Sequence, residues 1–376
     1  MNDPLESEVT LPRRDWILLP LVVFAVTSIV VGAAELVARA EFREQGDFTC
    51  DMHDAAGALR DKPNCVSFVK YAESPLVEYR FNDCGYRSAK SCAAKPPGTL
   101  RVALIGTSIS MGLNVQYTET FASRTEDALN RICNRPVEIQ NLGTIGSLKS
   151  QIDSTVSALR LAPDVIVLTL MPFDLQGLAA APTGAGSDLR TWIKSLQVAW
   201  LNLKLRARKT KLMFAAEHYM FLNEQTLYRT FLSSGRSHDL MSVPLTPDGE
   251  QRYAEFASIL DGIMAKLQGS GVPLVVVAVP NRVAAAIVSN HATLEATDAA
   301  LFGRRIAQIS AQRGAFPVDT TPEFASYPHA ERLFYPVDNH PNAGGHEVIA
   351  RALLKRLTDG SIPQLAACRP AGGQSQ

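Results

Sequence analysis

The chain has 376 residues, enough to bury a substantial core in roughly one to three domains. Its hydrophobic share of 46 % suits a globular protein with some membrane-facing sequence, and its 37 basic and 37 acidic residues cancel. No net field draws a polyanion, which argues against RNA or DNA as the main partner.

The first element is an apolar run of eighteen uncharged residues, Ile17–Ala34. As a helix, that length crosses about 30 Å of hydrocarbon. Trp16 stands where an interfacial aromatic belongs, and Pro20 lies near the start, where a missing N–H matters least. The expected division is a cytoplasmic tail over 1–15 and a transmembrane anchor over 16–35. A buried core helix fits less well. A cleavable signal is the stronger rival, because Ala38-Arg39-Ala40 has the small-x-small form, although Glu35 and Arg39 bring charges close. Arg13 and Arg14 precede the run and Arg39 and Arg43 come after it, so charge counting leaves the orientation open.

All six cysteines (Cys50, Cys65, Cys84, Cys92, Cys133 and Cys368) lie after the apolar run, and four cluster between 50 and 92. Such clustering suits an oxidising compartment, with six reduced thiols as the alternative. At least one disulfide is expected among Cys50, Cys65, Cys84 and Cys92; the sequence leaves the pairing open. The expected location is a single-pass protein of the inner or plasma membrane, its body on the outer (periplasmic or extracellular) side.

Residues 36–99 show no long period and read as an irregular Cys-containing segment closed by Pro96-Pro97-Gly98. Beyond it, apolar runs predict strands at Leu100–Ile105, Val137–Asn141, Val165–Leu170, Val272–Val279 and Ala315–Val318. Amphipathic patterns predict helices at Phe121–Ile132, Leu148–Arg160 and Gly344–Leu357, and another through Tyr253, Phe256, Leu260, Met264 and Leu267. The alternation implies an α/β domain over 100–360, a mostly parallel central sheet flanked by helices in three layers, with a C-terminal tail over 361–376. An insertion at about 178–250 holds a predicted helix, Trp192–Leu205, and a basic run of Lys204, Arg206, Arg208, Lys209 and Lys211. A solvated helix end accounts for that run better than a membrane-surface contact.

Open parallel sheets build their sites at the carboxyl ends of strands. Ser108 falls there, in Gly106-Thr107-Ser108 just past the first strand; alone this means little. Far downstream, Asp338 and His340 lie two apart on one loop, within Tyr335-Pro336-Val337-Asp338-Asn339-His340-Pro341. A serine hydroxyl needs a general base, and a base histidine needs an acid to hold its other nitrogen. The plainer readings are a turn aspartate and a helix-capping histidine. His346, on the last helix, reads as packing or surface. No phosphate loop, His-Glu-x-x-His or Cys-x-x-Cys motif occurs, so no metal and no cofactor is expected.

The last segment resembles the final block of the SGNH (GDSL-like) hydrolases, in which a catalytic Asp and His share one loop. Leu104-Ile105-Gly106-Thr107-Ser108 resembles the family's nucleophile block, with Thr107 in place of Asp. Gly112-Leu113-Asn114-Val115 and Thr120-Phe121 resemble the stretch just downstream of that block. Gly143, in Asn141-Leu142-Gly143-Thr144-Ile145-Gly146, matches the second block. The third block normally offers an Asn before an Asp; Met171-Pro172-Phe173-Asp174 keeps the Asp and puts Phe173 where the Asn belongs. The resemblance spans about 100–180 and 270–357.

It implies Ser108 as nucleophile, His340 as base and Asp338 as its partner, with an oxyanion held by the N–H groups of Ser108 and Gly143. Phe173, Asp174 and Asn114 become candidate pocket residues, and Asn281 a second amide with no assigned place. Substrates would be small esters or ester-bearing glycans, by analogy O-acylated cell-envelope polysaccharide. An O-acyltransferase using the same triad, and a catalytically silent polysaccharide-binding or assembly protein, remain the alternatives.

Overall fold

The computed structural model describes residues 12, 14–53, 59–178, 210–234 and 238–368, and within them the apolar run is one continuous helix, Asp15–Glu41. Its most apolar window has a mean hydropathy of 2.6 and is unburied, so the helix is long and apolar enough to cross a membrane. Ala38-Arg39-Ala40 lies inside the helix, with Ala38 buried. Glu35 pairs with Arg39 one turn on and accepts the N–H groups of Lys211 (3.3 Å) and Leu212 (2.7 Å), a favourable place for a carboxylate at the start of the helix Lys211–Phe221.

Two compact units divide the chain: Met1–Arg43 with Asp188–Glu217, and Glu44–Ser187 with His218–Gln376. The second unit begins with the Cys-containing segment, which is more ordered than its lack of period suggests. Strands β1 (Asp51–His53) and β2 (Leu59–Asp61) pair antiparallel, as do β3 (Val66–Val69) and β4 (Val77–Arg80). Disulfides join Cys50 to Cys65 and Cys84 to Cys92, and a third ties Cys133 to Cys368. Strands this short hide too little apolar surface to carry a period, and cross-links supplement the small core.

The main sheet contains β5 (Leu100–Gly106), β6 (Val137–Asn141), β7 (Val165–Leu170), β8 (Leu274–Ala278) and β9 (Phe316–Asp319), all parallel, in the order β6-β5-β7-β8-β9. Alternate side chains serve opposite layers. Leu100, Val102 and Leu104 pack with Phe121, Leu129, Val348 and Leu353 on one face; Ala103 and Ile105 pack with Phe256, Leu260, Phe302 and Ile306 on the other. Covered on both faces, the strands read as unbroken apolar runs rather than alternating ones.

The expected helices stand at Phe121–Ile132, Pro247–Leu267 and Ala343–Thr358; Leu148–Arg160 divides into a 3₁₀ turn, Leu148–Ser150, and a helix, Gln151–Leu159. In the insertion, the described residues form the helices Lys211–Phe221 and Glu224–Ser234. The expected helix Trp192–Leu205 and the basic residues Lys204, Arg206, Arg208 and Lys209 lie outside the described residues.

Candidate active site

Strand β5 ends in a sharp turn. Gly106 sits at φ +145°, where a Cβ would collide with Ser110 Oγ and the Thr169 carbonyl, so only glycine fits. Thr107 is extended, Ser108–Met111 makes a single helical turn, and Gly112 closes it at φ +80°. Ser108 therefore stands at the carboxyl edge of the sheet, its N–H opening that turn, where helical donors lack an intrahelical partner.

The loop before the helix Ala343–Thr358 comes to meet it. Asn339 adopts φ +66°, a left-handed conformation asparagine tolerates, and its amide donates to the Val337 carbonyl. This twist puts Asp338 and His340 on the same side. His340 Nδ1 lies 2.6 Å from Asp338 Oδ1, and His340 Nε2 lies 2.7 Å from Ser108 Oγ. Residues 232 apart in sequence thus form one unbroken hydrogen-bonded chain. Burial alone would raise the Asp338 pKa, but the His340 hydrogen bonds and charge, with the Asn114 amide, hold it below the ordinary carboxylate value.

Asn114 reaches toward the acid of this chain. It is buried at φ +70°, its Nδ2 donates to Asp338 Oδ1 at 2.9 Å, and its N–H donates to the Tyr79 hydroxyl. Its carbonyl accepts the Tyr335 hydroxyl at 2.8 Å. Asn281 is a helix cap, accepting the Ala284 N–H.

The expected oxyanion donors part company. The Gly143 N–H donates to Asn141 Oδ1 at 3.0 Å, while Asn141 Nδ2 donates to the Ser110 carbonyl at 2.7 Å. Gly143 is glycine because a Cβ would strike the backbone of Ser110 and Met111. In this structure the Gly143 N–H is tied through Asn141 to the turn that carries Ser108.

Phe173 is 68 % exposed and lines a cavity of about 180 Å³ with Met171, Phe221, Phe231, Asn281 and Asn339. Asn339 belongs to the Asp338–His340 loop, so this cavity adjoins that loop. Asp174 accepts the Met171 N–H at 2.8 Å and caps its own helix, Pro172–Gln176. Burial pushes its carboxyl up to about 6, against the opposing hydrogen bond from the Met171 N–H.

Residues 241–371 match the model of the SGNH hydrolase-like domain of the acetyltransferase AlgX, a span that contains Asp338 and His340. Over that span the chain is similar to an SGNH hydrolase-like domain. Similar solved structures include TesA, 11 % identical over 69 % of this chain and 98 % of that one at a TM-score of 0.40. Axe2, an acetylxylan esterase from Geobacillus stearothermophilus, is 14 % identical over 68 % of this chain and 93 % of its own at a TM-score of 0.38. No curated protein matches the chain.

The site also recruits residues that no motif marks. Arg87 is wholly buried, and its guanidinium donates to the carbonyls of Met111 (2.9 Å), Gly112 (2.6 Å) and Val115 (2.8 Å), lashing down the far end of the turn that Ser108 opens. It lies 4.5 Å over the Tyr79 ring, and burial pushes its pKa down to about 10 and that of Tyr79 up to about 12. Both come from the Cys-containing segment, and an arginine amid polar sequence gives no hint of burial. Only Asn141, directly before the Leu142-Gly143 block, carries a positional signal.

Proposed function

We propose that the chain is a serine-dependent ester-processing enzyme with Ser108, His340 and Asp338 as its triad. The observation that carries this reading is the continuous chain from Ser108 Oγ through His340 to Asp338 Oδ1. Ser108 Oγ attacks an ester carbonyl while His340 Nε2 takes its proton, and Asp338 holds the Nδ1 proton and stabilises the imidazolium. The Ser108 N–H faces the developing oxyanion. The tetrahedral intermediate collapses as His340 returns its proton to the departing alcohol, leaving an acyl group on Ser108. Water then releases it in hydrolysis, or an acceptor hydroxyl takes it in transfer.

Transfer is the second reading, supported by the AlgX description, which names an acetyltransferase, and by Phe173 where an amide donor is expected. We place the helix Asp15–Glu41 in the membrane as a single anchor, with the disulfide-bonded body on the outer side, where O-acylated cell-envelope polysaccharide is the substrate class in reach. Hydrolysis of p-nitrophenyl acetate by the wild type and its loss in Ser108→Ala test the enzyme reading. No hydrolysis by either protein would leave a silent glycan-binding protein on this fold, and equal measurable rates would remove Ser108 as the nucleophile. An acyl donor supplied with a glycan acceptor separates transfer from hydrolysis.

A further inference from the structure

The carboxylate of Glu73 is 3 % exposed and lies outside every block of the family resemblance. It sits in the turn between β3 and β4, which is fixed by its own bonds: the Ser74 N–H donates to the Tyr71 carbonyl and the Tyr71 N–H to Ser74 Oγ. Its two oxygens receive the Val337 N–H (3.1 and 3.0 Å), the Asp338 N–H (3.0 Å) and His218 Nδ1 (2.6 Å). These are the backbone donors immediately before the side chain that holds His340. A buried carboxylate with this many donors is a rigid anchor, because charge-assisted hydrogen bonds are short and strongly directional.

We infer that Glu73 is a positioning residue for the acid–base loop, fixing the Val337–Asp338 backbone so that Asp338 Oδ1 stays against His340 Nδ1, with His218 bracing Glu73 from behind. This rests on the triad reading above. It gives the hairpin β3–β4 a catalytic purpose: the disulfide-bonded segment holds both halves of the site, Arg87 the nucleophile turn and Glu73 the acid–base loop. Misplacement of reacting groups by about 1 Å can lower turnover by ~10²-fold, so a lost anchor should register in kcat.

Glutamine at 73 keeps the volume but turns an amide N–H₂ toward at least one of these donors; alanine removes the acceptor. In the full-length protein, Glu73→Gln and Glu73→Ala should lower kcat on p-nitrophenyl acetate and the rate of fluorophosphonate labelling together. The expected loss is ~10- to 10²-fold with KM unchanged, alanine being the more severe. His218→Gln should give a smaller loss of the same kind. In an Asp338→Asn background, Glu73→Gln should add nothing to the slower labelling, since both changes act through one contact. A fully additive loss there would mean general damage and would overturn the assignment. So would wild-type kcat in Glu73→Gln beside an inactive Ser108→Ala. Wild-type turnover in Ser108→Ala would instead remove the triad reading and this inference with it.

Discussion

Asn114 Nδ2 donates at 2.9 Å to Oδ1 of Asp338, the same oxygen that meets His340 Nδ1 at 2.6 Å. One carboxylate oxygen thus takes an amide from the nucleophile side of the site and an imidazole from the acid–base side. The second donor restricts the carboxylate's rotation about its own bond, so the histidine ring inherits a fixed direction toward Ser108. A hydrogen bond to a charged group contributes about 1.5–3 kcal/mol, equivalent to roughly 10- to 10²-fold in rate if it is realised in the transition state. Asn114→Gly deletes the amide while tolerating the φ of +70° at this position. It should lower kcat by about 10-fold or more in an ester assay, with little change in KM. Asn114→Ala should show the same kinetic loss and a lower melting temperature besides, because alanine resists that left-handed backbone.

Replacing the acid itself should be far more severe. Asp338→Asn keeps the shape of the loop but presents an amide that favours the wrong imidazole tautomer, and the comparable serine-protease change lowers turnover by ~10⁴. Steady-state rates decide it. Asp174, the other nearby carboxylate, is committed to the Met171 N–H as the cap of its own helix, so it should not rescue the variant.

The cross-links should be countable. Among the described residues no cysteine is free, so unreduced protein should give no reaction with a thiol reagent until it is unfolded and reduced. Cys133–Cys368 closes the longest loop, a separation of 235 residues, and ties the end of the helix Phe121–Ile132 to the chain beyond the last helix. In the chain-entropy picture such a closure contributes up to roughly 5 kcal/mol. Cys133→Ser with Cys368→Ser should therefore lower the melting temperature more than removal of Cys84–Cys92, which spans 8 residues. Calorimetry of the two variants would show the order.

These contrasts explain which parts of the molecule are legible in its sequence. Strands such as Val165–Leu170 are buried on both faces, so their composition alone marks them, and the two ends of the Ser108 to His340 chain sit in motifs with characteristic spacing. The braces are different. Arg87 and Glu73 act through long-range contacts to backbone groups, which depend on where a hairpin lands rather than on any local pattern. Asn114 is half legible: its block places it near Ser108 and suggests a pocket wall, but only the fold shows its amide turned inward to Asp338. Gly143 shows the converse, a motif glycine whose N–H the fold directs to Asn141.

Acid should destabilise the protein partly through His346. It is fully buried, stacks on Phe121 and accepts the Phe121 N–H on Nδ1; burial pushes its pKa down to about 3 from 6.5. Above pH 6.5 the ring is neutral in both folded and unfolded chains and contributes no pH dependence. As pH falls from 6.5 toward 3, the unfolded chain takes up a proton that the folded chain refuses, and stability declines. Asp174 acts in the opposite sense: its raised pKa of about 6 means folding is favoured as pH falls from 6 toward 3.8. Urea unfolding at about pH 7 and about pH 4.5 should show a smaller drop for His346→Gln than for the wild type. It should show a larger drop for Asp174→Asn, from which the compensating group is gone. Parallel declines in all three proteins would refute both assignments.

Phe173 offers the sharpest separation between hydrolysis and transfer. An oxyanion hole works through fixed donors, and losing one typically lowers turnover by ~10²–10³. The phenyl ring at 173 donates nothing, and Gly143 is engaged with Asn141, so simple esters should be hydrolysed slowly. The ring is exposed and borders the cavity beside the Asp338–His340 loop, where it can shape the acyl or acceptor group that sits next to Ser108. A slow reaction with water suits a transferase, whose acyl-enzyme must survive until the acceptor hydroxyl arrives. Phe173→Ala should therefore change the relative rates on acetyl and longer acyl esters, and the share of product formed on a glycan acceptor, more than the rate on p-nitrophenyl acetate. Because the side chain is exposed, its removal should leave the melting temperature close to that of the wild type. If Phe173→Ala abolishes every activity in a well-folded protein, the ring supports the site itself, and its role as a selectivity wall is wrong.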